Sequence, residues 1–331
     1  MKAFVTGGTG FVGSHLVEAL HIAGHEVACL VRNPDKAQRV FGDRRPTIIR
    51  GSLADRAALR AGVDGAAAVF HVAGLTAARN RAEFFSINEG ATQTLLDVIR
   101  GRAPHDPTPR FVYVSSLAAA GPSNRGQPLL GSESANPVTH YGASKLAGEL
   151  AVRAAALPWV IVRAPAVYGP RDVEFLKVFR LAKRGLSPLF GDGSQELSLV
   201  HVLDLVQALL AVATSERTRG ETYYPCHPEV VSARGLATAI HRAVRTNPAA
   251  RPLVLPIPGP AARAALWVTG TVARLAGRTT LLSADKANEF LAQAWTCSPA
   301  SLERDTGWSA AYDLAAGLAM TATWYREHEW F

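Results

Sequence analysis

Directly after a β-like apolar run, Lys2–Thr6, the chain reads Thr6-Gly7-Gly8-Thr9-Gly10-Phe11-Val12-Gly13. A helical pattern follows over Phe11–Ala23, with Val12, Leu16, Leu20 and Ala23 at helical spacing. A strand, a glycine turn and a helix at the very start leave few folds open. Gly7 permits the tight turn, Gly10 lets backbone amides approach a pyrophosphate, and Gly13 lets the helix pack on the strand. The amides and the positive helix end favour phosphate there. Thr9, Phe11 and Val12 complete the loop's candidate contacts.

The first half continues to alternate strands and helices. Glu26–Val31, Thr47–Ile49, Ala67–Val72, Arg110–Ser115 and Pro158–Arg163 read as strands. Phe84–Arg100 and Tyr141–Ala156 read as helices. Buried runs separated by helices predict an α/β fold, a doubly wound parallel sheet covered on both faces. From about Val167 turns multiply, at Gly169-Pro170, Gly185, Pro188 and Gly191-Asp192-Gly193. Helices recur at Val202–Ala213 and Ala233–Val244. A linker rich in proline (Pro248, Pro252, Pro256, Pro258, Pro260) precedes an apolar helix near Ala262–Leu275 and a Trp-containing tail. The expected division is a dinucleotide-binding domain over 1–166, with a returning segment at about 194–225. A smaller mixed α/β substrate-binding lid takes 167–193 and 226–331.

The second strand ends in Val31-Arg32-Asn33. An acid there would bond the adenine-side ribose hydroxyls. Val31 stands in its place, and the Arg32 guanidinium suits a 2′-phosphate instead. Lys36 adds a second positive charge. NADP(H) is therefore favoured over NAD(H), with the adenine resting near Ser52-Leu53 after the third strand.

Tyr141-Gly142-Ala143-Ser144-Lys145 opens a helix, so the phenol and the ammonium share one face. A free phenol is a poor base near neutrality, and a nearby ammonium is expected to lower its pKa. Tyr141 then exchanges a proton with a substrate oxygen while hydride moves to or from carbon. Ser115-Ser116 closes the strand before it. Spacing to Tyr141 favours Ser116 as the hydroxyl that polarises that oxygen, with Ser115 the alternative.

Together these residues resemble the short-chain dehydrogenase/reductase superfamily in its extended, epimerase/dehydratase-like form, which has a Rossmann fold. The likeness covers nearly the whole chain. It takes in the TGGTGFVG loop, Phe70-His71-Val72-Ala73-Gly74, Asn88, YGASK, Arg163–Pro170 and Val200–Asp204. The tail from Thr306-Gly307-Trp308 to Trp324-Tyr325 is similar to the family's closing helix. The resemblance implies that Pro165–Val167 border the nicotinamide and that Ala73 and Gly74 border the cofactor ribose. It implies that Lys145 bonds the nicotinamide ribose. His71, Asn88, His201 and Asp204 are expected to supply buried hydrogen bonds that fix loops.

Two departures stand out. Sugar-nucleotide members usually carry Asn where Ala166 stands and Arg near Leu197, and neither residue here can hold a diphosphate. The remainder is more similar to the 3β-hydroxysteroid dehydrogenase and dihydroflavonol reductase branch. It implies an apolar alcohol or ketone, sterol-like or polyketide-like. Leu266, Trp267 and Val268 are candidates to line a greasy pocket or a membrane-facing lid. A sugar-nucleotide enzyme and a dinucleotide-sensing module without turnover are the competing readings.

The net charge of +8 comes from scattered residues with no run of one sign, which does not make a nucleic-acid surface. Cys29, Cys226 and Cys297 lack metal-ligand spacing, so neither metal nor disulfide is expected. No secretory signal is visible, and Ala261–Ala276 is too short and too charged to span a bilayer. The expected protein is cytoplasmic. Peripheral membrane contact stays open, and a homodimer paired through sheet-domain helices is the default by resemblance.

Overall fold

A computed structural model describes residues 1–42, 46–103, 106–245 and 253–331. The first half runs β1 (Lys2–Thr6), α1 (Phe11–Ile22), β2 (Glu26–Val31), α2 (Pro34–Phe41), β3 (Thr47–Arg50), α3 (Arg56–Val63) and β4 (Ala68–His71). It continues α4 (Arg81–Phe85), a π turn at Ser86–Gly90, α5 (Ala91–Arg100), β5 (Arg110–Ser116), α6 (Leu117–Ala120), α7 (His140–Arg153) and β6 (Trp159–Ala164). Then come β7 (Ala166–Tyr168), α8 (Val173–Lys183), β8 (Leu186–Phe190), β9 (Glu196–Leu197), β10 (Leu199–His201), α9 (Val202–Thr214) and β11 (Glu221–Tyr223). The chain closes through β12 (Val231–Ser232), α10 (Ala233–Val244), β13 (Leu253–Ile257), α11 (Gly259–Leu275), α12 (Ala287–Phe290), β14 (Ala294–Trp295), α13 (Ala300–Thr306) and α14 (Leu314–Glu327).

Seven parallel strands form one sheet in the order β11-β6-β5-β4-β1-β2-β3. The order reverses beside β1, so the chains leaving β1 and β4 part in opposite directions. That parting opens a crevice at the carboxyl edge, where ligands bind in such sheets. Thr6 pairs with His71 of β4 and with Leu30 of β2, which sets the glycine loop level with Ala73 and Arg32. Neighbouring residues on β1 face opposite layers. Val5 packs with Leu16, Leu20, Leu205 and Leu209 under α1 and α9. Phe4 packs with Leu59, Leu95 and Val152 under α3, α5 and α7. Each fully buried side chain of this kind stabilises the fold by about 1.5–3 kcal/mol.

Local signals explain two helices that apolar spacing does not announce. Asn33 caps α2 by accepting from Lys36 N, with Pro34 at the first helical position. Asp55 caps α3 by accepting from Ala57 N and Ala58 N. The helix expected over Phe84–Arg100 runs on from Arg81 without leaving helical backbone, but contains one π turn, at Ser86–Gly90. That turn aims the Asn88 carbonyl at the Tyr113 hydroxyl, which donates to it at 3.3 Å.

The remaining strands make three small sheets: β7 with β10, β12-β9-β14, and β8 with β13. The last places a strand, β13, within the stretch expected as a proline-rich linker. Pro256 sits in β13 opposite Leu189, and Pro188 in β8 opposite Leu255; proline is tolerated in strands at edges such as these. Pro258 and Pro260 begin α11, while Pro248 and Pro252 lie outside the described residues. Among the described residues no helix is long and apolar enough to cross a membrane.

Candidate active site

The glycine loop is a close backbone crossing. Gly7 adopts φ +76°, and a Cβ on it would lie 2.6 Å from Ala73 N. A Cβ on Gly13 would lie 2.2 Å from Gly7 O. No side chain caps α1 at Gly10, so the first amides of the helix are left for a ligand. Thr9, Gly10, Phe11, Val12 and Gly13 border one cavity of about 1480 Å³, together with Gly7. Arg32, Lys36, Ser52 and Leu53 border the same cavity beyond β2 and β3. Arg32 and Lys36 are exposed, and neither forms an ion pair among the described residues. The groove therefore offers uncapped helix-start amides and, past them, two cations without an ion-pair partner among the described residues.

Ala73, Gly74, Pro165 and Val167 border the cavity nearer its centre, with Ser116, Tyr141 and Lys145. Thr139 caps α7 by accepting from Gly142 N at 3.1 Å. This cap places Tyr141 and Lys145 in the first turns, facing the end of β5. Lys145 Nζ donates to Val114 O at 2.8 Å and lies 4.3 Å from the Tyr113 ring centre. Burial holds its ammonium down to about 7, against a smaller opposing pull from the Glu149 carboxylate.

Tyr141 departs from the sequence expectation. Burial pushes its phenol up to about 12; a hydrogen bond with Ser116 lowers it and the Glu289 carboxylate raises it. The ammonium expected to depress it is engaged by the Val114 carbonyl instead. The two serines of β5 have different duties. Ser115 Oγ donates to Glu149 Oε1 at 2.6 Å, which uses its one proton. Ser116 Oγ accepts from Ala118 N at 3.2 Å and also meets the Tyr141 phenol.

The supporting residues divide. His71 bridges Thr6 Oγ1 at 2.7 Å and Thr92 Oγ1 at 3.0 Å, and burial lowers its pKa to about 3. Asn88 accepts from Leu75 N at 2.8 Å and donates to Leu75 O and Ser144 Oγ. Asp204 accepts from Ala311 N and Tyr312 N. His201 breaks the pattern: neither ring nitrogen has a hydrogen-bond partner among the described residues. It is held by ring contacts with Tyr168 and Tyr312.

Beyond Tyr141 the wall comes from segments that spacing could not connect to the site. Leu281, Lys286, Glu289, Phe290 and Trp295 line it, with Phe190 and Leu197. Lys286 Nζ pairs with Glu289 Oε2 and lies 5.0 Å from the Tyr141 ring centre. The segment is pinned to the start of α7. Asp285 Oδ2 accepts from His140 N at 2.9 Å, Glu289 Oε1 accepts from Thr139 Oγ1 at 2.9 Å, and Asn288 Nδ2 donates to Val138 O at 3.1 Å. Carboxylates at a helix N-terminus are favoured electrostatically. That preference was the only signal in the sequence, and many acids share it. Leu266, Trp267 and Val268, expected as pocket candidates, do not line the cavity. Leu266 is buried in packing, whereas Trp267 and Val268 are exposed.

The family model for the NAD dependent epimerase/dehydratase family matches residues 3–224. The chain belongs to that family. It is an enzyme of the extended short-chain dehydrogenase/reductase type, and its coenzyme is a nicotinamide dinucleotide. It is 31% identical to the ceramide reductase of Caulobacter vibrioides, over 98% of this chain and 95% of that one. It is 32% identical to the 4-hydroxy-2-methyl-3-oxo-4-farnesyl-3,4-dihydroquinoline-1-oxide ketoreductase of Stigmatella aurantiaca, over 72% of each. Among solved structures, the dTDP-glucose 4,6-dehydratase of Bacillus anthracis in complex with NAD superposes with a TM-score of 0.79. That match covers 100% of this chain and 98% of the other at 17% identity, a likeness of fold alone.

Proposed function

We propose that this enzyme transfers hydride between NADP(H) and an apolar hydroxy/keto compound, and that it works as a reductase of a chain-bearing ketone. The carrying observation is the wall beyond Tyr141. Ala166 and Leu197 stand where a sugar nucleotide would need anion ligands, and Phe190, Leu281, Phe290 and Trp295 continue an apolar lining. A pocket for one small ligand holds about 300–1,000 Å³; this cavity, at about 1480 Å³, has room for a coenzyme and a second molecule. Likeness to the ceramide reductase over almost the full length supports a lipid-like ketone.

When bound, the coenzyme supplies or accepts the hydride. The uncapped start of α1 and the bare Gly7–Gly13 crossing fit its pyrophosphate. In the reductive direction Ser116 donates a hydrogen bond to the ketone oxygen, and Tyr141 gives that oxygen its proton. A phenol raised to about 12 by burial is protonated near neutrality, the form this step needs. Lys145, charged below about pH 7 and held at Val114 O, is placed to bond the nicotinamide ribose when the coenzyme is bound. Two copies pair through the sheet-domain helices in this reading; light scattering tests it, and a monomer at all concentrations removes it.

The reading is tested by steady-state turnover of a long-chain 3-keto lipid with NADPH, beside calorimetry with uridine and thymidine diphosphates. Turnover without nucleotide-diphosphate binding is expected. Tight diphosphate binding with no lipid turnover hands the site to a sugar-nucleotide enzyme, and dinucleotide binding without turnover of any substrate to a sensing module.

Arg32 makes the coenzyme preference testable separately. A hydrogen bond to a charged group contributes about 1.5–3 kcal/mol. Arg32→Ala is therefore expected to lower the NADPH-over-NADH ratio of kcat/KM by about 10- to 100-fold. An unchanged ratio ends the 2′-phosphate assignment.

A further inference from the structure

The exposed apolar side chains of this enzyme are not spread evenly. Seven of the fifteen large ones among the described residues fall between Leu253 and Leu282: Leu253, Leu255, Trp267, Val268, Val272, Leu275 and Leu282. Four of them belong to α11. At 3.6 residues per turn, Ala262, Leu266 and Gly270 form the buried stripe of that helix. Trp267, Val268, Val272 and Leu275 occupy the opposite face, from 51% to 85% exposed. Arg263 and Arg274 run along one border of that face, and Arg278 follows just past the helix end. No Asp or Glu occurs between Leu253 and Ala284.

We infer that α11 lies on an anionic lipid surface and places the cavity wall against it. An apolar face bordered by arginines and free of acids matches the two attractions that hold an interfacial helix, burial among acyl chains and charge toward anionic headgroups. Trp267 sits on that face, and tryptophan is favoured at the headgroup level. The same pattern disfavours a second copy docked face to face, which would set arginine against arginine. The helix is also joined to the substrate cavity. A Cβ on Gly270 would lie 3.1 Å from Ser283 Cα, so the backbone beside Leu281 packs directly on α11. Arg263 Nη1 donates to Asn288 Oδ1 at 3.2 Å, next to Glu289 and Phe290 in the wall. A lipid leaving the bilayer beneath α11 would meet this wall first.

The test is flotation of the full chain with vesicles of phosphatidylcholine alone and of phosphatidylcholine mixed with phosphatidylglycerol. Binding to the mixed vesicles is expected, weakening by about tenfold or more when Arg274→Glu and Arg278→Glu are combined. The pair Trp267→Glu and Val272→Glu is expected to abolish it. All four side chains are away from the coenzyme groove, so turnover of a short, water-soluble ketone serves as the folding control and stays unchanged. No binding of the wild type to mixed vesicles overturns the inference. So does a concentration-dependent dimer that the Trp267→Glu and Val272→Glu pair dissolves, which would give the face to a second copy. Vesicle binding is read without substrate or coenzyme, so its failure and failure of the reductase assignment are distinguishable.

Discussion

Tyr141→Phe is expected to lower kcat for ketone reduction by about 10²- to 10⁴-fold, the usual worth of a positioned proton donor. Coenzyme affinity should change little, because the ring still fills its place beside Phe84, 6.1 Å away between centroids. Retention of near wild-type turnover would falsify the proton-donor role. The same chemistry is expected to show a second sign in the pH profile of the wild type. Lys145 is held down to about 7 by burial, so its charge is present below that value and is lost as pH rises through it. The phenol, near 12, remains protonated throughout. Reduction should therefore hold a plateau on the acid side of neutrality and decline above it. In Lys145→Arg, whose guanidinium does not titrate in this range, that decline should vanish even if the plateau is lower.

Glu149→Ala is expected to cost about 3–5 kcal/mol of stability, the penalty for leaving a buried charge without its partner. Glu149 is 0% exposed and accepts from Arg163 Nε at 2.9 Å, Arg163 Nη2 at 2.7 Å and Ser115 Oγ at 2.6 Å. Arg163, itself 4% exposed, also donates to the Tyr224 hydroxyl at 2.8 Å. The pair joins α7, which carries Tyr141 and Lys145, to the ends of β5 and β6. Urea denaturation should show the loss, and adding Arg163→Met should recover much of it by removing the stranded guanidinium. A Glu149→Ala midpoint close to wild type would mean that water reaches Arg163.

Features whose partners are near in sequence were legible in it. The Gly7–Gly13 loop and the Tyr141–Lys145 pair depend on spacing within one turn or one helix, and the helix-covered parallel sheet follows from the alternation of buried runs, though its strand order does not. What was hidden depends on distance or on burial. Glu289 meets Thr139 across 150 residues, and no local pattern links them. The π turn at Ser86–Gly90 adds its bulge without changing the apolar rhythm around it. The shift of Tyr141 ran opposite to expectation because helical spacing brings an ammonium near but cannot show how deeply the phenol is buried. His201 was read as a hydrogen-bonding residue by type, yet aromatic rings close around it.

The three hydrogen bonds that fasten residues 285–289 to the start of α7 also fix where charge stands beside the phenol. Glu289, whose carboxylate raises the Tyr141 phenol, is one of the fastened groups, and Lys286, 5.0 Å from the centre of that ring, belongs to the same short segment. A substitution that loosens this fastening is therefore expected to be felt at the phenol as well as in the wall.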